Sequence, residues 1–283
     1  MPGTQVQVVP GERCLLLRAR LDALQRALAK EPLTAMAPPI LFLDYDGVLH
    51  PAEAIRTYAR GIVLPDGVPG RLFMHADSLV RVLEPHPEVR IVLSTSWVQH
   101  LDYYRAKKRL PESLQARVIG ATWHSHKNAK EWETLTRYLE ILTYVDRHNL
   151  GLRWLAIDDN ADGWPDVQRD KLVHTRSMAG LGDAVVQEEL ADKLYLLTGG
   201  KLHEYSFILR FDNVPEGDAD ALVESLAKAG CTDALVGIGA ISRGLLALSF
   251  TRDARSGEAA VGRAIADVKR AVPSARLLEI VHQ

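Results

Sequence analysis

The chain has 283 residues, 47% of them apolar and 25% charged, with 34 Lys and Arg against 36 Asp and Glu. This is close to the average for folded soluble proteins, and a net charge of -2 argues against a polycationic arm or a general attraction to nucleic acid or acidic lipid as the basis of function. Cys14 and Cys231 are too few and too far apart for a disulfide framework or a zinc pattern, and with no leader-like start and no membrane-length apolar run the expected location is the cytoplasm, with no membrane partner.

Three parts follow in chain order. Residues 1–38 form an N-terminal extension in which Leu17, Leu21, Leu24 and Leu28 lie on one face of a helix expected over 12–30; Pro32 limits that helix and Pro38 and Pro39 prevent its continuation. Residues 39–198 alternate strand and helix, with apolar strands expected at 40–43, 89–93 and 154–157 and a further one at 171–174. Short apolar runs separated by helical stretches predict an α/β domain with a Rossmann-like parallel sheet covered on both faces. Residues 199–283 change pattern: strands at 205–211, 234–239, 245–250 and 276–281, with helices at 218–229 and 258–271, spell the βαββαβ order of a ferredoxin-like α+β domain.

The chemistry concentrates in the first domain. In ILFLDYDGVLH an apolar strand runs into Asp44 and Asp46, which places two carboxylates at the carboxyl edge of a sheet, where open α/β folds bind ligands. Phosphoryl transfer needs an in-line nucleophile, a proton donor for the leaving oxygen and cations for the phosphoryl charge. Asp44 suits attack on phosphorus with formation of an aspartyl phosphate, and Asp46 suits protonation of the leaving oxygen and later activation of water. Two carboxylates repel a phosphate, so the scheme requires a hard cation such as Mg2+. WLAIDDNADGW supplies further metal ligands, Asp158 and Asp159, directly after a strand, and VRIVLSTSW ends a strand in hydroxyls: Thr95, with Ser94 as alternative, can donate to a phosphoryl oxygen.

DYDGVLH, the strand with Ser/Thr, a lysine before a helix, and DD after a strand together resemble the four motifs of the haloacid dehalogenase (HAD) superfamily of aspartate-nucleophile phosphatases, over about residues 39–197. LDYDGVLHP, IVLSTSW and LAIDDN most resemble HAD domains associated with predicted RNA-repair proteins. The resemblance implies that Asp44 is nucleophile and magnesium ligand, that Asp46 is acid/base with its carbonyl on the metal, and that Asp158 and Asp159 complete the metal site. It also implies a cationic third motif, for which HSHKNAKEW offers Lys130, where a helix running to His148 is expected to begin, or Lys127.

A single D-x-D or DD after a strand is as readily a capped turn; their joint occurrence in this order is much harder to obtain from turns. His124 and His126 read as a polar loop, Trp97 as core, and the Tyr103, Tyr104, Arg105, Lys107, Lys108 and Arg109 patch as a solvated helix face. Between Asp46 and Ser94 lie 47 residues, room for a flap and a helix but tight for a cap domain, so an open site for a bulky phosphorylated end such as a nucleic acid or protein is expected, the alternative being a lid supplied by the second domain or a second subunit. The substrate expected is a nucleotide or a nucleic-acid end. The leading expectation is a magnesium-dependent phosphatase. The alternative is a non-catalytic or regulatory HAD-like protein whose C-terminal domain binds a ligand or partner, that domain also being where a homodimer would form. Transfer of the same phosphoryl group to an alcohol acceptor stays open.

Overall fold

The computed structural model describes residues 37–123, 135–215, 217–237 and 244–282. The helix expected over 12–30 lies outside them. Five parallel strands form the first sheet: β1 (Ile40–Leu43), β4 (Arg90–Leu93), β5 (Val118–Ala121), β6 (Trp154–Asp158) and β7 (Leu172–His174), in the order β5-β4-β1-β6-β7. β1, the central strand, is buried at every position, as a strand covered on both faces must be. One face packs Leu41, Leu43, Ile91, Leu93 and Ile157 with Leu79, Leu83 and Leu190. The other packs Ile40, Phe42 and Val92 with Tyr138, Ile141 and Trp154.

β5 was not anticipated. Its four residues, VIGA, hold only two bulky apolar side chains before Gly120 and Ala121, a weak signal for a strand, and at this sheet edge Ile119 is 51% exposed. The start expected at Lys130 lies outside the described residues; among them α5 (Arg137–Arg147) is capped by Thr136, whose side chain accepts from Leu139 N.

Between Asp46 and β4 the chain forms a small antiparallel hairpin, β2 (Ile55–Thr57) with β3 (Gly61–Val63), and then α1 (Ala76–Leu83). After β4 come α2 (Trp97–Leu101), α3 (Tyr103–Lys107) and α4 (Glu112–Gln115); α6 (Ala184–Leu197) closes this part.

The second part runs β8 (His203–Asp212), α7 (Ala219–Lys228), β9 (Ala234–Gly237), β10 (Leu246–Ala254), α8 (Gly257–Ala271) and β11 (Arg276–His282). Its antiparallel sheet has the order β11-β8-β10-β9, the ferredoxin-like arrangement. Phe207, Leu209 and Phe211 alternate inward against Leu226, Ala260 and Ala264 of the two helices. Arg255 joins the parts, donating to Asp192 of α6 at 2.8 Å and pairing with Glu188 of the same helix at 2.8 Å, and Arg263 adds a second contact to Asp192. No helix among the described residues is long and apolar enough to cross a membrane.

Within the second part Arg252 bonds Asp233 at 2.6 and 2.8 Å and Asp267 at 2.8 Å while its guanidinium stacks over Phe250. Removing the cation leaves two carboxylates facing each other in a partly desolvated place. Arg252→Leu should therefore lower the stability of this part by about 3 kcal/mol, read as an earlier urea transition in the full chain; an unchanged midpoint would show that the triad contributes little.

Candidate active site

The sheet register builds the site. Leu43 pairs with Leu93 on one side and Ile157 on the other, so the next rung holds Asp44, Ser94 and Asp158 side by side. The chain moves outward from β1 to β4 and β5, then returns to the other side of β1 for β6 and β7. The β1/β6 boundary is thus the switch point of the sheet, where parallel α/β folds open a crevice at the carboxyl ends.

After Asp44 the backbone turns sharply. Val48 and Leu49 both donate to the Tyr45 carbonyl, and Gly47 takes a φ of 68°, open to glycine at little cost. A Cβ at Gly47 would collide with the Asp159 side chain, so glycine is needed for space as well. Thr175, just beyond β7, clamps the turn: its hydroxyl donates to the Gly47 carbonyl at 2.7 Å and its amide to the Asp158 carbonyl at 3.0 Å.

Asp44 is 5% exposed, Thr95 2% and Asp158 1%. Asp44 Oδ1 accepts from the Tyr45 amide at 2.7 Å, and Thr95 also donates to its carboxylate. Asp158 Oδ1 accepts from Asn160 N at 2.9 Å. Ser94 Oγ is buried with no hydrogen-bond partner, so of the two hydroxyls Thr95 is the one engaged with Asp44. Asp46 sits apart: its carboxylate, 26% exposed, accepts from Trp97 Nε1 and meets His50.

The cation in this cluster is Arg137. Its side chain lies 3.1 Å from Asp158 Oδ2, 3.9 Å from Asp44 Oδ2 and 3.0 Å from Glu140 Oε2. Lys127 and Lys130, and with them His124 and His126, lie outside the described residues. Arg137 was missed by the sequence reading, though a signal was present. It opens a helix, where the macrodipole disfavours a cation, so a cation there calls for carboxylates to hold it.

Burial pushes the Asp44 carboxyl up from 3.8 to about 6 against the opposing pull of Arg137, the Tyr45 amide and Thr95. Burial and then the neighbouring Asp44 push Asp158 up in the same direction. Glu140 is raised by its burial too, less the effect of Arg137. Burial works against the charge on Arg137, yet Asp44, Asp158 and Glu140 together hold its pKa above the ordinary arginine value.

Carboxylate oxygens of Asp44, Asp158 and Asp159 lie within 4.8 Å of one another. Asp158 Oδ2 is buried without a hydrogen bond, since Arg137 Nε approaches it at 3.1 Å but out of alignment. An all-oxygen set with an unsatisfied buried carboxylate atom fits a hard divalent cation of the magnesium type.

The family model for the HAD domain in Swiss Army Knife RNA repair proteins matches residues 40–186, just over half of the chain. The chain belongs to that family. No curated protein and no solved structure matches it. The match spans all of the parallel sheet and the Asp44–Asp158 cluster, and it stops inside α6, before the ferredoxin-like part. HAD membership suggests a phosphatase-type hydrolase, and the acidic cluster is a place where such a domain could carry a metal.

A carboxyl raised on folding adds stability that is complete below its unfolded value of 3.8 and lost as pH rises through about 6. Asp158 and Glu140 act with the same sign. Without metal, the melting temperature of this domain should therefore rise as pH is lowered from about 7.5 to about 5, and Asp44→Asn should diminish the rise. An equal rise in both proteins would remove Asp44 as its source.

Proposed function

We propose that this HAD domain is a magnesium-dependent phosphomonoester phosphatase working through an aspartyl phosphate on Asp44, with a nucleotide or the phosphorylated end of a nucleic acid as substrate. The observation that carries the reading is the rung Asp44–Asp158 with Thr95 beside it and Arg137 within 4 Å of both carboxylates. A nucleophile, a hydroxyl donor and a half-buried cation converge there on one point at the sheet edge.

In the first step an Asp44 oxygen attacks phosphorus in line and the bond from phosphorus to the leaving oxygen breaks. Asp46 gives its proton to that oxygen. In the second step water attacks the phosphorus of the aspartyl phosphate, its proton passes to Asp46, and Asp44 is released as the carboxylate. Thr95 donates to a phosphoryl oxygen, and Arg137 offsets charge on the phosphoryl group and on Asp44. Asp44, Asp158 and Asp159 would hold the metal, with the Asp46 carbonyl as a further ligand; when bound, Mg2+ supplies positive charge that lets the carboxylates and the phosphoryl group share one site.

Two observations support a large substrate. The described residues between Asp46 and Ser94 form a hairpin and one helix in place of a cap domain, and the family's description refers to RNA repair.

Phosphate release should be measured with Mg2+ from p-nitrophenyl phosphate, nucleotides and 5′- or 3′-phosphorylated oligoribonucleotides. Asp44→Asn should abolish release, Asp46→Asn should slow it by about 10²- to 10⁴-fold, and chelation should stop it. A folded, magnesium-binding wild type that releases no phosphate would instead favour a regulatory protein acting through the ferredoxin-like part. Phosphate appearing on an added alcohol would identify a phosphotransferase.

A further inference from the structure

Asp46 is gripped by two rings. Trp97 Nε1 lies 3.0 Å from each of its carboxylate oxygens, and His50 Nε2 lies 3.1 Å from Oδ1. An indole N–H can only donate, so Trp97 fixes which edge of the carboxylate it faces. The grip spans the fold, because His50 closes the loop after β1 while Trp97 opens α2 beyond β4.

Neither ring has room to turn. Trp97 and His50 are each 1% exposed, and the two lie 5.4 Å apart, centroid to centroid, edge to face. Phe73 completes the enclosure at 5.2 Å from Trp97, 5.0 Å from His50 and 5.1 Å from Tyr45. It does so with a φ of 59°, a left-handed conformation that a bulky aromatic seldom adopts and that persists only where the surroundings dictate it. Two buried rings, braced by a half-buried Phe73 in a strained conformation, thus present a single partly exposed carboxylate. A purely structural carboxylate would more readily be enclosed together with its donors.

We propose that Trp97 and His50 are positioning residues: they hold Asp46 in the orientation from which it delivers its proton to the leaving oxygen, and Phe73 locks them in place. The inference rests on the phosphatase reading, and specifically on Asp46 as the acid. Its signature is dependence on the leaving group. The phenolate of p-nitrophenyl phosphate departs without a proton, whereas the alkoxide of a nucleoside 5′-monophosphate needs one. Loss of a well-aimed acid therefore harms the alkyl phosphate selectively, while general damage to the fold harms both.

The test compares wild type, Trp97→Phe, His50→Leu, His50→Gln and Asp46→Asn as full-length, magnesium-loaded proteins on both substrates. Trp97→Phe keeps the ring and loses the N–H. Its kcat on the nucleoside 5′-monophosphate should fall about 10- to 100-fold, the scale of one hydrogen bond to a charged group. Its kcat on p-nitrophenyl phosphate should change by less than about 3-fold, with KM for both substrates kept. His50→Leu should show the same split, and His50→Gln, which keeps a donor near the Nε2 position, should recover most of it. The two His50 variants carry the test by themselves if Trp97→Phe does not fold.

Equal losses on both substrates, or no loss on either, would overturn the positioning role. If Asp46→Asn shows the split and the ring variants do not, that role alone falls. If wild type hydrolyses neither substrate, or Asp46→Asn shows no split, the phosphatase reading or its assignment of the acid falls first and takes this inference with it.

Discussion

The constraint on which this site depends is the burial of two like-charged carboxylates, Asp44 and Asp158, on adjacent strand ends. Taken alone such a pair would be expelled or neutralised, because a low-dielectric surrounding magnifies both the loss of hydration and the mutual repulsion. Each therefore accepts a backbone amide, Tyr45 N for Asp44 and Asn160 N for Asp158. Arg137 stands between them and is itself steadied by Glu140. The arrangement is still under-neutralised: both carboxyls are raised, and Asp158 Oδ2 lacks a hydrogen bond. A divalent cation would relieve that imbalance, so the same feature that weakens the metal-free fold prepares it for metal.

Asp46 belongs to a different environment although it is two residues away. Asp44 is held by its own loop and by Thr95, and Asp46 by side chains from distant elements, with a quarter of its surface open. A nucleophile benefits from a dry, fixed place against phosphorus, and a proton donor must reach both the leaving group and water. The sharp turn at Gly47 gives two neighbouring residues of one loop these different environments, as the proposed roles of Asp44 and Asp46 require.

What the sequence disclosed follows from where the information lies. Asp44, Asp46, Asp158 and Asp159 each sit next to an apolar run, so strand pattern and carboxylate pattern reinforce one another. The ferredoxin-like order was legible for a similar reason, since Phe207, Leu209 and Phe211 alternate cleanly and Ser256 and Asp218 cap the helices that follow. Arg137 and the Asp46 grip were hidden because they are relations across distance. Trp97 read as core, and it is buried; nothing in its neighbourhood in sequence says that its one polar atom points at a residue 51 positions earlier. Thr175 escaped notice likewise, being 128 positions from the Gly47 carbonyl it secures.

The same topology bears on how large a substrate the site can take. α6 starts beside the loop that follows Asp44, where Leu181 N donates to the Val48 carbonyl, and ends where Thr198 meets His86, ahead of the amino end of β4. The chain thus leaves the first part at the sheet edge opposite Asp44, and a 14-residue helix separates the two edges by about 21 Å. Arg255 and Arg263 then fasten the ferredoxin-like part to the middle of that helix, at Glu188 and Asp192. To act as a lid over Asp44, this part would have to give up these contacts and reach back along α6. Among the described residues the insertion that follows this loop in the chain is the short β2–β3 hairpin, anchored by the buried Ile62. The substrate proposed above, a phosphate at the end of a long chain, accords with such an open edge.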